Sequence, residues 1–207
     1  MSTPCKLCEK RHARRYCPGV GGEICPICCG TERENTIDCP SECEYLQEAR
    51  VRERPAPISE DEIPNKDIRV SEEFLDKNES TVVWLTVALT RAMAKEKAVD
   101  RDAREALDSL IRTYRTLESG LIYETRPQNP YAAAIQEALK QSVDELRKRL
   151  AEASGMATLR DADILGTLVF LQRLELQYSN SRPRGRAFFD FLRTSFPEPP
   201  LAESLAV

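Results

Sequence analysis

All eight cysteines of this 207-residue chain fall between Cys5 and Cys43, and the 164 residues after Cys43 contain none. Cys5-x2-Cys8 and Cys25-x2-Cys28 are separated by 16 residues, a double-hook spacing that reads as a zinc site rather than a disulfide ladder. The main apolar content of this stretch is Tyr16, Val20, Ile24, Ile27, Ile37, Tyr45 and Leu46. That is too little for a self-sufficient core, and domains so small need a metal or disulfides to fold. The N-terminus lacks the charged start and apolar run of a secretory signal, so a cytoplasmic location is expected. In that compartment disulfides do not persist, and clustered thiols are held by metal.

Nine donors are available: Cys5, Cys8, His12, Cys17, Cys25, Cys28, Cys29, Cys39 and Cys43. They exceed by one the eight positions of two tetrahedral sites, and two Zn2+ ions per chain are expected. The favoured pairing interleaves them, with Cys5, Cys8, Cys25 and Cys28 on one ion. Cys17, Cys39 and Cys43 then share the other, with either Cys29 or His12 as its last ligand. A sequential pairing, with Cys5, Cys8, His12 and Cys17 first and Cys25, Cys28, Cys39 and Cys43 second, stays open. Both Cys-x2-Cys pairs read as metal-binding knuckles, the second closed by Gly30 at positive φ. Pro40 suits the first position of a helix, which would place Cys39 and Cys43 on the same side of one turn.

With interleaved ligands and a final pair on a helix, residues 1–54 resemble the cross-brace, treble-clef-type zinc fingers of the B-box and MYND kind. The resemblance implies a recognition module that binds proteins rather than a catalyst. Thiolate supply argues the same way, because a catalytic zinc keeps an open position whereas this segment offers more ligands than two closed sites need.

The formal net charge is −4, and residues 1–54 carry nine basic and nine acidic side chains. No strong nonspecific attraction to nucleic acid follows. Within the one basic run, Lys10 to Tyr16, Arg11, Arg14 and Arg15 are the candidate phosphate contacts. The blander reading has these arginines offset the negative field of the zinc-bound thiolates.

From Pro55 to Val70 prolines and acids dominate, which predicts a flexible linker. Beyond it the chain is expected to be mainly α, a five-helix bundle over residues 71–196 followed by a disordered tail over 197–207. The first helix opens at Ser71, with a break near Asn78, and runs through Val82, Leu85, Leu89 and Met93; Trp84 is expected in the core. Three more follow the apolar periodicities from Asp100, from Pro130 and from a Thr158-x2-Asp161 capping box, with Gly166 admitting a close neighbour. Phe188, Phe189, Phe191 and Leu192 form the fifth. No apolar run approaches the ~20 residues that span a bilayer.

His12 is the only histidine, which removes carboxylate–histidine metal sites and Ser–His or Cys–His nucleophiles from the bundle. No glycine-rich phosphate loop occurs. The leading expectation is therefore a non-catalytic zinc-binding protein–protein interaction or adaptor protein, with a protein partner and no membrane. The alternative is a zinc-dependent nucleic-acid-binding regulator that also uses Arg182, Arg184 and Arg186, a run otherwise read as a solvated turn. More remote is an enzyme with a substrate pocket in the bundle at Tyr123, Glu124 and Arg126.

Overall fold

The computed structural model describes residues 3–53, 58–154 and 159–197. Among them the fold is mainly α, with eight α-helices and one two-stranded sheet. The N-terminal module starts with a hairpin of β1 (Arg15–Cys17) and β2 (Gly22–Ile24), antiparallel, with Tyr16 opposite Glu23. Its turn is closed by the amides of Val20 and Gly21 on the Cys17 carbonyl, and Gly21 supplies the positive φ of 62° that the turn requires. Helices α1 (Pro26–Glu32) and α2 (Glu44–Arg52) follow. Ile24, Ile37 and Leu46 are buried among the cysteines. Val20 and Tyr45 pack against this small cluster, partly buried.

Two local expectations fail here. Gly30 lies inside α1 rather than closing a knuckle, because Cys25 caps that helix by accepting the Cys28 amide on its thiol and Pro26 occupies the first helical position. The second helix begins at Glu44, not Pro40. Residues 40–43 make a turn in which the Cys43 amide reaches the Pro40 carbonyl (3.0 Å), and Cys43 itself is extended (φ −67°, ψ 117°). Cys39 and Cys43 therefore flank a turn instead of sharing a helical face.

The helical body comprises α3 (Glu72–Lys77), α4 (Glu79–Glu96), α5 (Asp100–Glu118), α6 (Pro130–Ser154), α7 (Asp161–Tyr178) and α8 (Ala187–Ser195). Six helices stand where five were expected, because the break at Asn78 separates α3 from α4. Helix α5 packs on α6 and α7, and α4 packs on α6. Leu85, Leu89, Leu107, Leu110, Ile135, Ile164 and Phe188 fill the centre with at most 1% exposure, each contributing roughly 1.5–3 kcal/mol by leaving water. Gly166 lets the Phe74 ring of α3 lie directly on α7, where a Cβ would collide with it. Trp84 is half-buried rather than central; its indole donates to the Ser142 carbonyl (2.9 Å), and the Arg149 guanidinium covers its ring. The capping box falls partly on Thr158, and the tail mostly on residues 198–207, outside the described residues.

The linker expectation needs correction over residues 58–70. Ser59 and Glu62 close a reciprocal cap around a single 3-10 turn. Arg115 then holds Asn65 and Asp67 (both 2.7 Å). Arg173 of α7 donates to the carbonyls of Asn65 and Ile68 (2.8 and 3.0 Å), while Ile68 and Val70 pack against the core. Arginines projecting from α5 and α7 satisfy the backbone of this segment, so its polar composition serves docking rather than solvation.

Nor are the two parts independent. Glu34, just after α1, is 1% exposed and accepts from Arg50 (2.5 Å), Asn180 (2.7 Å) and the Arg186 amide (3.1 Å). Its own carbonyl takes the Arg184 amide (2.8 Å). Arg182 reaches the Arg33 carbonyl and Glu53 (2.9 and 3.0 Å), and Arg186 reaches Asp38 (2.5 Å). Arg50 also pairs with Asp190 of α8. The run Arg182 to Arg186 is thus a bracket between module and bundle, not a solvated turn.

Candidate metal centre

The loop before β1, the residues after β2 and the first turn of α1 bring Cys5, Cys8, Cys25 and Cys28 together. Their sulfurs all lie within 4.8 Å of one another. Four thiolates at ~2.3 Å from a tetrahedral zinc stand about 3.8 Å apart, so the foursome fits such an ion with little adjustment. Among the described residues this is the group of His, Cys, Asp or Glu side chains that meets such closeness. The geometry shows a four-cysteine cluster able to hold a metal ion such as zinc.

The local backbone is aimed at the sulfurs. The Cys25 amide donates to the Cys5 sulfur (3.2 Å) and the Cys28 amide to the Cys25 sulfur (3.4 Å). Burial opposes ionisation of Cys5, but donation from the amides of Cys8, Cys25 and Leu7 outweighs it and brings the thiol down to about 6. The Cys28 amide likewise lowers Cys25. Cys28 goes the other way, pushed up to about 12 by burial and by its crowding against Cys25, Cys8 and Cys5. Backbone amides favour the Cys5 thiolate, whereas burial first and the neighbouring thiols second disfavour that of Cys28. A dication offsets the repulsion among neighbouring thiolates.

Arg11 hydrogen-bonds Cys25 and sits in the field of Cys8 and Cys28, which raises its pKa. Arg15 donates to the Cys29 sulfur (3.7 Å) and stacks on the Tyr45 ring. Both arginines face thiols; Arg14 is exposed. His12 is exposed, with Nδ1 at 3.3 Å from the Thr3 carbonyl, and lies outside the four-cysteine group.

Cys17, Cys29, Cys39 and Cys43 line a second, narrow cavity of about 10 Å³ between β1, α1 and α2. Burial raises the Cys39 thiol, helped by Cys17, Glu34 and Cys43 and opposed by a hydrogen bond from the Glu34 amide. These four gather without reaching the closeness of the first group.

At the remote candidate site, the Glu124 carboxylate is already taken by Lys140 (2.8 Å) and Arg126 (3.2 Å). Thr125 is fixed through its amide by Thr113 and through its carbonyl by Gln136. Tyr123 is 67% exposed. The segment is an interhelical connection tied by its own hydrogen bonds.

Sequence reasoning overlooked Glu34. Nothing in the composition around it distinguishes this acid from its neighbours; the one cue is its place midway between Cys29 and Cys39, where a loop held at both ends has to turn. No helix among the described residues is long and apolar enough to cross a membrane. In comparisons with protein-family models, curated proteins and solved structures, nothing matches this chain, and what it shares with zinc fingers is therefore the four-cysteine cluster itself.

Proposed function

We propose that the chain is a non-catalytic, zinc-built protein-interaction protein that carries two zinc ions, one held by Cys5, Cys8, Cys25 and Cys28 and the other by Cys17, Cys29, Cys39 and Cys43. The observation that carries this reading is the four-cysteine cluster of the first site, whose full thiolate complement leaves no open position for a substrate. The second foursome supports a second ion: four thiols line a void of atomic size, and Arg15 stands beside it as Arg11 stands beside the first.

Partner binding is supported by what the first site holds up to solvent. Leu7 and Ile27, each immediately before the second cysteine of its pair, are 40% and 54% exposed, and Tyr16 on β1 is 63% exposed. Apolar side chains held rigidly on metal-bound turns lose little entropy on burial in a partner. The orientation of Arg11 and Arg15 toward thiols favours this protein-binding reading over phosphate contact.

The test uses the full chain. Native mass spectrometry of wild type is expected to show two zinc ions. Leu7→Asp with Ile27→Asp is expected to keep both ions and lose the proteins that co-purify with wild type. Unchanged recovery of those proteins would sink the interaction role, and a chain without zinc would sink the metal reading separately.

A further inference from the structure

A cleft of about 920 Å³ opens between Asp38 of the N-terminal module and the bundle. Its lining comes from Asp38, from the residues around the starts of α5 and α6, and from the segment 183–186. Asp38 is the residue that the module contributes to its lining.

Three acids and four cations line this cleft, but they differ in what remains free. Asp38 accepts from Arg186. Asp102 accepts from the Val99 amide and from Asn129 (2.9 and 2.6 Å). Glu105 accepts from the Asn129 amide (3.4 Å). Arg186 is spent on Asp38 and on the carbonyls of Ala98 and Lys97. Lys97, Arg101 and Arg184 are exposed, and none has a side-chain partner among the described residues. They come from three separate places: the left-handed residue that ends α4 (φ 52°), the first turn of α5, and the bracket loop. With Asp38 and Arg186 paired, Lys97, Arg101 and Arg184 face the charges of Asp102 and Glu105, whose hydrogen-bond donors are neutral, so the lining keeps one net positive charge and three cationic side chains without an acidic partner.

Tyr131, in the first turn of α6, lines the same space with half its surface exposed. An aromatic face beside converging cations suits a ligand that joins anionic groups to a planar ring. The volume lies within the range of small-molecule sites and is larger than an inorganic anion needs.

We infer that this cleft binds a nucleotide, with Lys97, Arg101 and Arg184 on its phosphates and Tyr131 against its base. The inference is independent of whether the zinc module also binds a protein. Its test is equilibrium dialysis of the full, zinc-loaded chain against labelled ADP at low salt, with pyrophosphate as competitor. Wild type is expected to retain ADP, and the Lys97→Ala, Arg101→Ala, Arg184→Ala triple variant to bind it at least tenfold more weakly. Pyrophosphate is expected to compete poorly, and Tyr131→Ala to weaken ADP severalfold. All four side chains are exposed, so zinc content and helical signal are expected to be unchanged; if the triple variant loses zinc, the single Arg101→Ala and Arg184→Ala chains replace it with the same direction of effect. No retention of ADP by wild type, retention unaffected by loss of the cations, or pyrophosphate competing as well as ADP would each overturn the assignment.

Discussion

The Glu34 carboxylate accepts a hydrogen bond from the Asn180 side chain at 2.7 Å, across 146 residues of chain. Glu34 does so from a left-handed backbone conformation, φ 51°, which costs a residue with a Cβ on the order of 1 kcal/mol. The cost is offset because one residue meets both halves of the molecule: its amide reaches Cys39, its carbonyl takes Arg184, and its side chain holds Arg50 and Asn180.

Removing that carboxylate takes one of its two acidic partners from the largely buried Arg50, whose Nε is already unpartnered, and takes the acceptor from Asn180 and the Arg186 amide. Glu34→Ala is expected to destabilise the chain by about 2–3 kcal/mol, the cost of leaving buried hydrogen-bond donors without their acceptor. Urea denaturation measures it. A loss below about 0.5 kcal/mol would show that the bracket holds without Glu34.

Metal stoichiometry separates the two cysteine groups. Cys5→Ser and Cys39→Ser are each expected to lower the count by one zinc ion in native mass spectra, from two to one. If Cys39→Ser leaves the count unchanged, the second foursome is not a metal site.

At Gly166 the Phe74 ring occupies the space of a Cβ. Gly166→Ala is expected to cost about 1–3 kcal/mol, the range for overpacking a tight contact. Phe74→Leu in the same chain is expected to recover part of it. Additive losses in a double-mutant cycle would rule out this contact as the cause.

Asp100, 1% exposed, caps α8 from outside by accepting the amides of Phe188 and Phe189 (3.0 and 3.1 Å). Burial nevertheless pushes its carboxyl up to about 7 from an ordinary 3.8, against the lowering effect of those amides. The folded state therefore holds this proton more tightly than the unfolded state, and the Asp100 contribution to stability falls as pH rises from about 4 to about 7. Denaturation midpoints across that range are expected to show a downward component that Asp100→Asn lacks. Parallel profiles for the two chains would refute the assignment.

The helices were largely legible in sequence because Leu85, Leu89, Leu107, Leu110, Ile135 and Leu139 repeat at helical spacing and do face the core. The gathering of Cys5, Cys8, Cys25 and Cys28 was legible because Cys-x2-Cys confines two thiols to one turn whatever surrounds them. Cys29, Cys39 and Cys43 were harder to place, since the turn at residues 40–43 and the helical setting of Gly30 depend on contacts distant in sequence. Least legible were the docked segment 58–70 and the bracket Arg182 to Arg186. Both have the composition of solvated loops, and only partners that are 48 to 152 residues away turn them into internal structure.

The bracket also fixes an order of events in biosynthesis. At translation speeds of about 5–20 residues per second, the 146 residues between Glu34 and Asn180 take roughly 7 to 30 s to make. Throughout that interval the cysteine segment is outside or leaving the ribosome with nothing to dock against, and its apolar cluster is too small to hold it. On the proposed zinc reading, ion capture by the nascent chain precedes docking, and cells short of zinc would accumulate chains whose helical half is complete while its docking partner is unfolded.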